Sequence, residues 1–329
     1  MMSQHFNKVC IYGAGAIGGW IGARLAGAGC ALSVLARGAT LDALRRHGLR
    51  LRQDGCDSAY PVHASANPAE LGVQDLVVIA VKAPALLEVA RHIGPLIGPG
   101  TVVLTAMNGV PWWFFQGFGG SFEGQHLRAV DATGEIGAAI PAASVLGCVV
   151  HASCAATLGC VQHHFGNKLI IGEPSGEHSA RVLQVAALLG RAGFDTSVST
   201  QIQSDIWYKM WGNMTMNPIS ALTGATTDLI LGDELVRGFV SSVMLEAKEI
   251  GARIGIAIDQ QPEDRHAVTR KLGAFKTSML QDFEAGKAVE LDALVTVVSK
   301  LGALTGVATP FTDALLGLAR LQARGRGLY

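Results

Sequence analysis

Gly13-Ala14-Gly15-Ala16-Ile17-Gly18 follows an apolar run, Lys8 to Tyr12, and opens a helical pattern that continues to Ala28. In a G-x-G-x-x-G turn the first glycine makes a tight bend and the second lets a pyrophosphate approach the backbone, while the third admits close helix packing. The N–H groups at the helix start then face the anion. With 41 glycines in the chain the pattern means little alone. Its surroundings give it weight: a strand before it, a helix after it and a second apolar run, Ala31 to Leu35, beyond. A dinucleotide is therefore expected on Gly13, Ala14, Gly15, Ala16, Ile17 and Gly18.

Outward from that turn, Leu76 to Val81 and Thr101 to Thr105 read as further strands, with helices over Thr40 to His47 and Ala85 to His92. Such alternation predicts a parallel sheet covered by helices. Later strands are expected at Ala129 to Asp131, Ser144 to Ala152 and Leu169 to Ile171, and a helix from Ser179 to Arg191. After the polar stretch Asp195 to Gln203 the pattern turns to long helical runs: Ile206 to Asn217, Leu235 to Ile254, Pro262 to Glu284 and Glu290 to Thr305. The fold class is α/β, with an N-terminal Rossmann-type parallel sheet domain (1–200) followed by an all-helical C-terminal domain (201–329). A cleft between two such domains is the ordinary place for a cofactor and a substrate to meet.

The end of the second strand bears on which dinucleotide is used. An NAD site commonly has an acidic residue there, whereas Ser33-Val34-Leu35-Ala36 ends in Arg37 and the nearest carboxylate, Asp42, lies inside the next helix. A guanidinium pairs well with a 2′-phosphate, so NADPH is favoured over NADH, against the plainer reading of Arg37 as a solvated surface residue. Lys82 and Asn108 follow the next two parallel strands at their carboxyl ends, where this architecture binds ligands. A solvated lysine and an asparagine serving the Asn108-Gly109 turn are the competing explanations.

Spacings of four place Lys209, Asn213 and Asn217 on one helical face, while Trp211 and Met214 lie on others. Asparagine is a middling helix former, and two of them among core-type residues suggest a ligand-binding row more than a solvated face. Pro218 is expected to bend or end the helix just past Asn217. Ser278 and Glu290 stand in later helical sequence, where a self-bonded serine and a helix cap explain them equally well. The run Trp112-Trp113-Phe114-Phe115 after Asn108-Gly109 is a candidate apolar wall or cleft cover.

Composition narrows the function classes. Lys plus Arg and Asp plus Glu both number 26, giving a formal net charge of +0 in 329 residues and no basic reserve for nucleic acid. Ala138 to Val161 is apolar enough to consider as a membrane span, but Pro141, Gly147 and Gly159 and many small residues favour buried strands divided by turns. The six cysteines include no C-x-x-C pair and fit free thiols in a reducing compartment; with no secretory signal pattern, the cytoplasm is expected. No H-E-x-x-H or G-x-x-x-x-G-K-[ST] occurs, so neither a metal nor ATPase-type chemistry is implied.

Taken together the pattern closely resembles the ketopantoate reductase (2-dehydropantoate 2-reductase) family over almost the entire chain. The resemblance rests on Gly13 to Gly18, Arg37, Ala80-Val81-Lys82, Asn108-Gly109, the Lys209/Asn213/Asn217 series, Ser278-Met279-Leu280-Gln281-Asp282 and Glu290-Leu291-Asp292. It implies NADPH-dependent reduction of 2-dehydropantoate to pantoate in pantothenate synthesis. It also implies that Lys209 is the catalytic lysine and general acid and that Glu290 is the active-site glutamate. Asn213, Asn217 and Ser278 then match substrate-contacting positions. Lys82 and Asn108 match residues near the cofactor and the reacting end of the substrate, and Glu290 counts with the cofactor as well. A reductase of another 2-oxo acid and a noncatalytic NADPH-binding sensor remain the alternatives. The helices after Leu235 offer a face that a homodimer would bury.

Overall fold

The computed structural model describes residues 6–329. Two compact units divide the chain: the first comprises residues up to Met107 with Trp113–Gly119 and Thr133–Ile202, and the second Asn108–Trp112, Gly120–Ala132 and Gln203–Tyr329.

The first unit begins with β1 (Lys8–Tyr12), α1 (Ala16–Gly27), β2 (Ala31–Leu35) and α2 (Gly38–His47). A hairpin of β3 (Leu49–Gln53) and β4 (Cys56–Tyr60) and a short β5 (His63–Ser65) follow, then β6 (Leu76–Ile79), α3 (Leu86–His92) and β7 (Val102–Thr105). After α4 (Glu135–Ala139) come two long strands, β8 (Val145–Thr157) and β9 (Cys160–Gly172), and then α5 (Ala180–Arg191) and β10 (Asp195–Val198). All ten strands form one sheet in the order β4-β3-β9-β8-β7-β6-β1-β2-β5, with β10 also on β9. From β5 through β8 every pairing is parallel, and β9 returns antiparallel to β8. The parallel strands β6 and β7 are buried along their whole length, as uninterrupted apolar runs such as Leu76-Val77-Val78-Ile79 require. Trp20, Ile21 and Leu25 of α1 join Val9, Ile11, Val161 and Leu169 in the core.

One expected strand is corrected, and others are extended. Ala129 to Asp131 is a turn in the second unit, closed by Val130 and Asp131 N–H groups donating to the Leu127 carbonyl, with Asp131 buried. The stretch Ala138 to Val161 and the strands expected at Ser144 to Ala152 and Leu169 to Ile171 resolve into α4 and the thirteen-residue pair β8 and β9. No helix among the described residues is long and apolar enough to cross a membrane. Trp112, Trp113, Phe114 and Phe115 are all buried, with Trp113 filling the space above Gly147. The cysteines are free thiols, and burial pushes those of Cys10 and Cys154 up to about 12.

The second unit is helical: α6 (Ile202–Thr223), α7 (Thr227–Gly232), α8 (Glu234–Arg253), α9 (Pro262–Arg270), α10 (Ser278–Glu284), α11 (Val297–Thr305) and α12 (Pro310–Gly325). One helix expected over Pro262 to Glu284 is therefore two, broken around Gly273, whose φ of 62° is a left-handed conformation that suits glycine. Glu290 to Thr305 likewise starts with a π-helical turn, Asp292–Thr296, before α11. Pro218 does not end its helix, since α6 runs to Thr223. An interior proline costs ~3 kcal/mol. Trp207, Trp211 and Met214 are each 0% exposed, and burying each large apolar side chain contributes roughly 1.5–3 kcal/mol, so packing outweighs that cost.

Candidate active site

The turn between β1 and α1 forms one wall of a crevice in the first unit. Its volume is about 470 Å³, and its lining includes Tyr12, Gly13, Ala14, Gly15, Arg37, Thr40, Val81 and Glu88. It lies beyond the carboxyl ends of β1 and β2, where the chain passes from β2 on one side of β1 to β6 on the other, the switch point that binds ligands in doubly wound sheets. Each glycine of the motif has its own reason. Gly13 has φ 105°, and a Cβ there would sit 2.8 Å from Val81 Cγ1. A Cβ on Gly18 would lie 2.1 Å from the Gly13 carbonyl oxygen, so α1 can seat against the turn only without one. At Gly15 nothing stands within 4 Å, which leaves backbone approachable from the crevice at the N-cap of α1. Such a cradle fits the pyrophosphate of a dinucleotide.

Ala16, Ile17 and Gly18 form the first turn of α1 behind that wall. Lys82 follows Val81 at the end of β6, half-buried. Arg37 is exposed at the N-cap of α2 and lines the crevice. One lining group escaped the sequence reading: Glu88 of α3, whose carboxylate contacts the Arg37 guanidinium. The two charges are felt together at the Tyr12 phenol. Burial first and the Glu88 charge second hold it above its usual range, and Arg37 acts in the opposite direction.

A polar group assembles independently in the second unit. Helix α6 is fixed on α8 by the Trp211 indole N–H, which donates to the Met244 carbonyl at 2.7 Å. Gly212 lets the Arg265 guanidinium of α9 lie close, because a Cβ would come 2.7 Å from its Nε, and that guanidinium stands 5.2 Å from the Tyr208 ring centroid. With those faces occupied, Lys209, Asn213 and Asn217 share the remaining one.

The Lys209 ammonium donates to Asn108 Oδ1 at 2.9 Å. Asn108 is held in turn by its own loop. The Val110 N–H donates to the Ala293 carbonyl at 2.8 Å, and Gly109, with φ 83°, would carry a Cβ 2.5 Å from that same oxygen. Ala293 belongs to the π-helical turn that starts two residues after Glu290, so Asn108 links Lys209 on α6 to the segment bearing Glu290. Glu290 is buried, and its segment is pinned on both sides by the Val289 N–H donating to Leu328 O and by the Tyr329 hydroxyl donating to Asp292 Oδ1 at 2.7 Å. Among the described residues Asn213, Asn217 and Ser278 make no side-chain hydrogen bond. Asn217 is only 5% exposed, yet its amide is not among the buried polar atoms left without a partner, so its polar end still reaches solvent. Ser278 is exposed at the start of α10, beside the capping Thr277, and the structure ties it to none of the others.

Sheet order, glycine turn and switch-point crevice define the Rossmann class of dinucleotide-binding oxidoreductases. The chain belongs to the PanE/ApbA ketopantoate reductase family: the family's first domain, ketopantoate reductase PanE/ApbA, matches residues 9–176 and its C-terminal domain matches residues 201–323. The 2-dehydropantoate 2-reductase of Mesorhizobium japonicum is 46% identical over 324 residues, covering 98% of this chain and 99% of that protein. A crystal structure from Ralstonia solanacearum MolK2, of a protein assigned as a ketopantoate reductase, has a TM-score of 0.95 and 58% identity, covering 99% of this chain and 100% of that one. That of a 2-dehydropantoate 2-reductase from Geobacter metallireducens GS-15 has a TM-score of 0.83 and 27% identity, with 95% and 99% covered.

Proposed function

We propose that this chain catalyses the NADPH-dependent reduction of 2-dehydropantoate to (R)-pantoate in pantothenate biosynthesis. The observation that carries the reading is the Lys209–Asn108 contact at 2.9 Å on the same helix face as two amides with no protein partner. It presents a cation, oriented by a neutral acceptor, next to donors suited to a carboxylate and a hydroxyl. Family membership and the Mesorhizobium relative support the substrate assignment.

Gly13, Ala14 and Gly15 hold the pyrophosphate through backbone N–H groups, Arg37 pairs with the 2′-phosphate, and Lys82 serves the same cofactor. When bound, the dinucleotide supplies the hydride that reduces the C2 carbonyl. Lys209 carries the protein's part of the chemistry. Its ammonium stabilises the negative charge that develops on the carbonyl oxygen and then donates a proton to it from Nζ. Asn108 keeps Nζ aimed, and Glu290 orients the lysine or accepts from the substrate hydroxyl. Asn213, Asn217 and Ser278 position the carboxylate and the polar tail. The free cysteines accord with a reducing, cytoplasmic setting.

Consumption of NADPH, followed by absorbance with 2-dehydropantoate beside a panel of other 2-oxo acids, tests this reading. A kcat/KM highest for 2-dehydropantoate is expected. A clearly better panel member would transfer the assignment to that acid and keep the hydride chemistry. Arg37→Ala is expected to weaken NADPH binding about tenfold, as loss of a charge-assisted phosphate contact should, and to leave NADH within about twofold. Equal losses for both dinucleotides would remove Arg37 from the phosphate site.

A further inference from the structure

The end of β2 offers no carboxylate to a ribose, yet the fold brings one to the crevice from elsewhere in the chain. Glu88 lies on α3, 51 residues beyond Arg37 in sequence, and its Oε1 meets Arg37 Nη1 in the crevice that holds Gly13 and Gly15. The side chains are 70% and 51% exposed, so their contact does little for stability, since surface pairs of this kind contribute almost nothing measurable. What the pair does control is charge at one end of the crevice. An ionised carboxylate only accepts hydrogen bonds, so it suits a ribose 2′-hydroxyl and repels a 2′-phosphate. A guanidinium does the reverse.

We infer that Glu88 is a specificity-determining residue: its carboxylate opposes a 2′-phosphate and accepts from an unphosphorylated ribose, so that the crevice takes NADH as well as NADPH. The inference rests on the reading of this crevice as the dinucleotide site. Arg37 and Glu88 act in opposition, and the margin for NADPH is the difference between them. A phosphate must draw the guanidinium away from Glu88 and lie near a negative charge, whereas a hydroxylated ribose gains an acceptor and leaves the pair intact.

The test is a fluorescence titration of the full chain with NADPH and with NADH, at low and at physiological salt, for wild type, Glu88→Gln and Glu88→Ala. Melting curves identify any variant that is not folded. Removing one unit charge a few ångströms from the phosphate in a watery crevice is expected to tighten NADPH about three- to fivefold in both variants, whereas losing the acceptor in Glu88→Ala is expected to weaken NADH by a similar factor and Glu88→Gln, which keeps an amide oxygen, to weaken it less. The NADPH gain should shrink as salt rises. Unchanged affinities in the two folded variants, or NADPH and NADH moving together in the same direction, would overturn the inference and leave the dinucleotide reading standing. Wild type that binds neither dinucleotide would overturn both.

Discussion

Lys209→Ala is expected to lower kcat about 10²- to 10⁴-fold, the range that a positioned proton donor supplies, while the affinity for NADPH stays within about twofold, the cofactor wall being elsewhere in the chain. The side chain is half-buried and polar, so the melting temperature should fall by no more than a few degrees. Lys209→Arg sharpens the result. Arginine keeps the positive charge that stabilises a developing alkoxide but cannot release a proton at ordinary pH. If charge alone carried the reaction, the arginine variant would recover most of the rate. The proton-donor role predicts that it stays down by at least about tenfold, well within what general acid catalysis contributes. A folded Lys209→Ala protein with near-normal turnover would take Lys209 out of the mechanism, whereas one that loses turnover, cofactor affinity and melting temperature together is unfolded and has no value as evidence.

Two single methyl groups in the glycine turn should have opposite signatures. Gly18→Ala places a Cβ 2.1 Å from the Gly13 carbonyl oxygen, a backbone atom that cannot step aside without the turn. Overpacking of that severity costs about 3 kcal/mol or more and shifts the cradle as well, so stability should fall and the dinucleotide should bind about tenfold or more weakly. Gly15→Ala meets nothing within 4 Å, and the position already has φ −80° and ψ −162°, a backbone that alanine accepts. Stability should stay within ~0.5 kcal/mol, as at an unstrained surface site, while cofactor affinity drops because the methyl group projects into the crevice. Denaturant unfolding beside cofactor titration separates the two. A stable Gly18→Ala protein with full affinity would show that the third glycine has no packing role.

The parts of the fold legible in the sequence are those where burial imposes a period. The buried parallel strands β1, β2, β6 and β7 read as continuous apolar runs, and the glycine spacing marked the join between β1 and α1. Strands with one wet face were lost. In β3 Arg50 and Arg52 alternate with Leu49 and Leu51, and this strand, β4 and the stretch of β9 between Val161 and Leu169 were assigned to no element. A usable signal was present in Asp54-Gly55, both left-handed at φ 51° and 76°, the dipeptide of a tight hairpin turn. In the candidate site, Lys209, Asn213 and Asn217 shared a face by helix period alone, and α6 holds them so despite Pro218. Glu88 was invisible because nothing in a seven-residue helix announces which distant side chain it will meet. The link from Asn108 through Ala293 to the Glu290 segment was equally hidden, being a backbone hydrogen bond across the chain.

Strand β9 has two different neighbours on its outer side: β3 pairs with Cys160 to Gln162, and β10 with Lys168 to Ile171. The Arg50 guanidinium even reaches the Leu158 carbonyl, 108 residues away. During synthesis, then, the β3–β4 hairpin leaves the ribosome long before the strand that will cover its edge, and for that interval it presents an open row of N–H and C=O groups. Long-range pairing of this kind slows folding, because loop closure must precede its reward. The late arrival of one strand sets when the inner edge of that hairpin is covered, while β4 stays at the rim of the finished sheet.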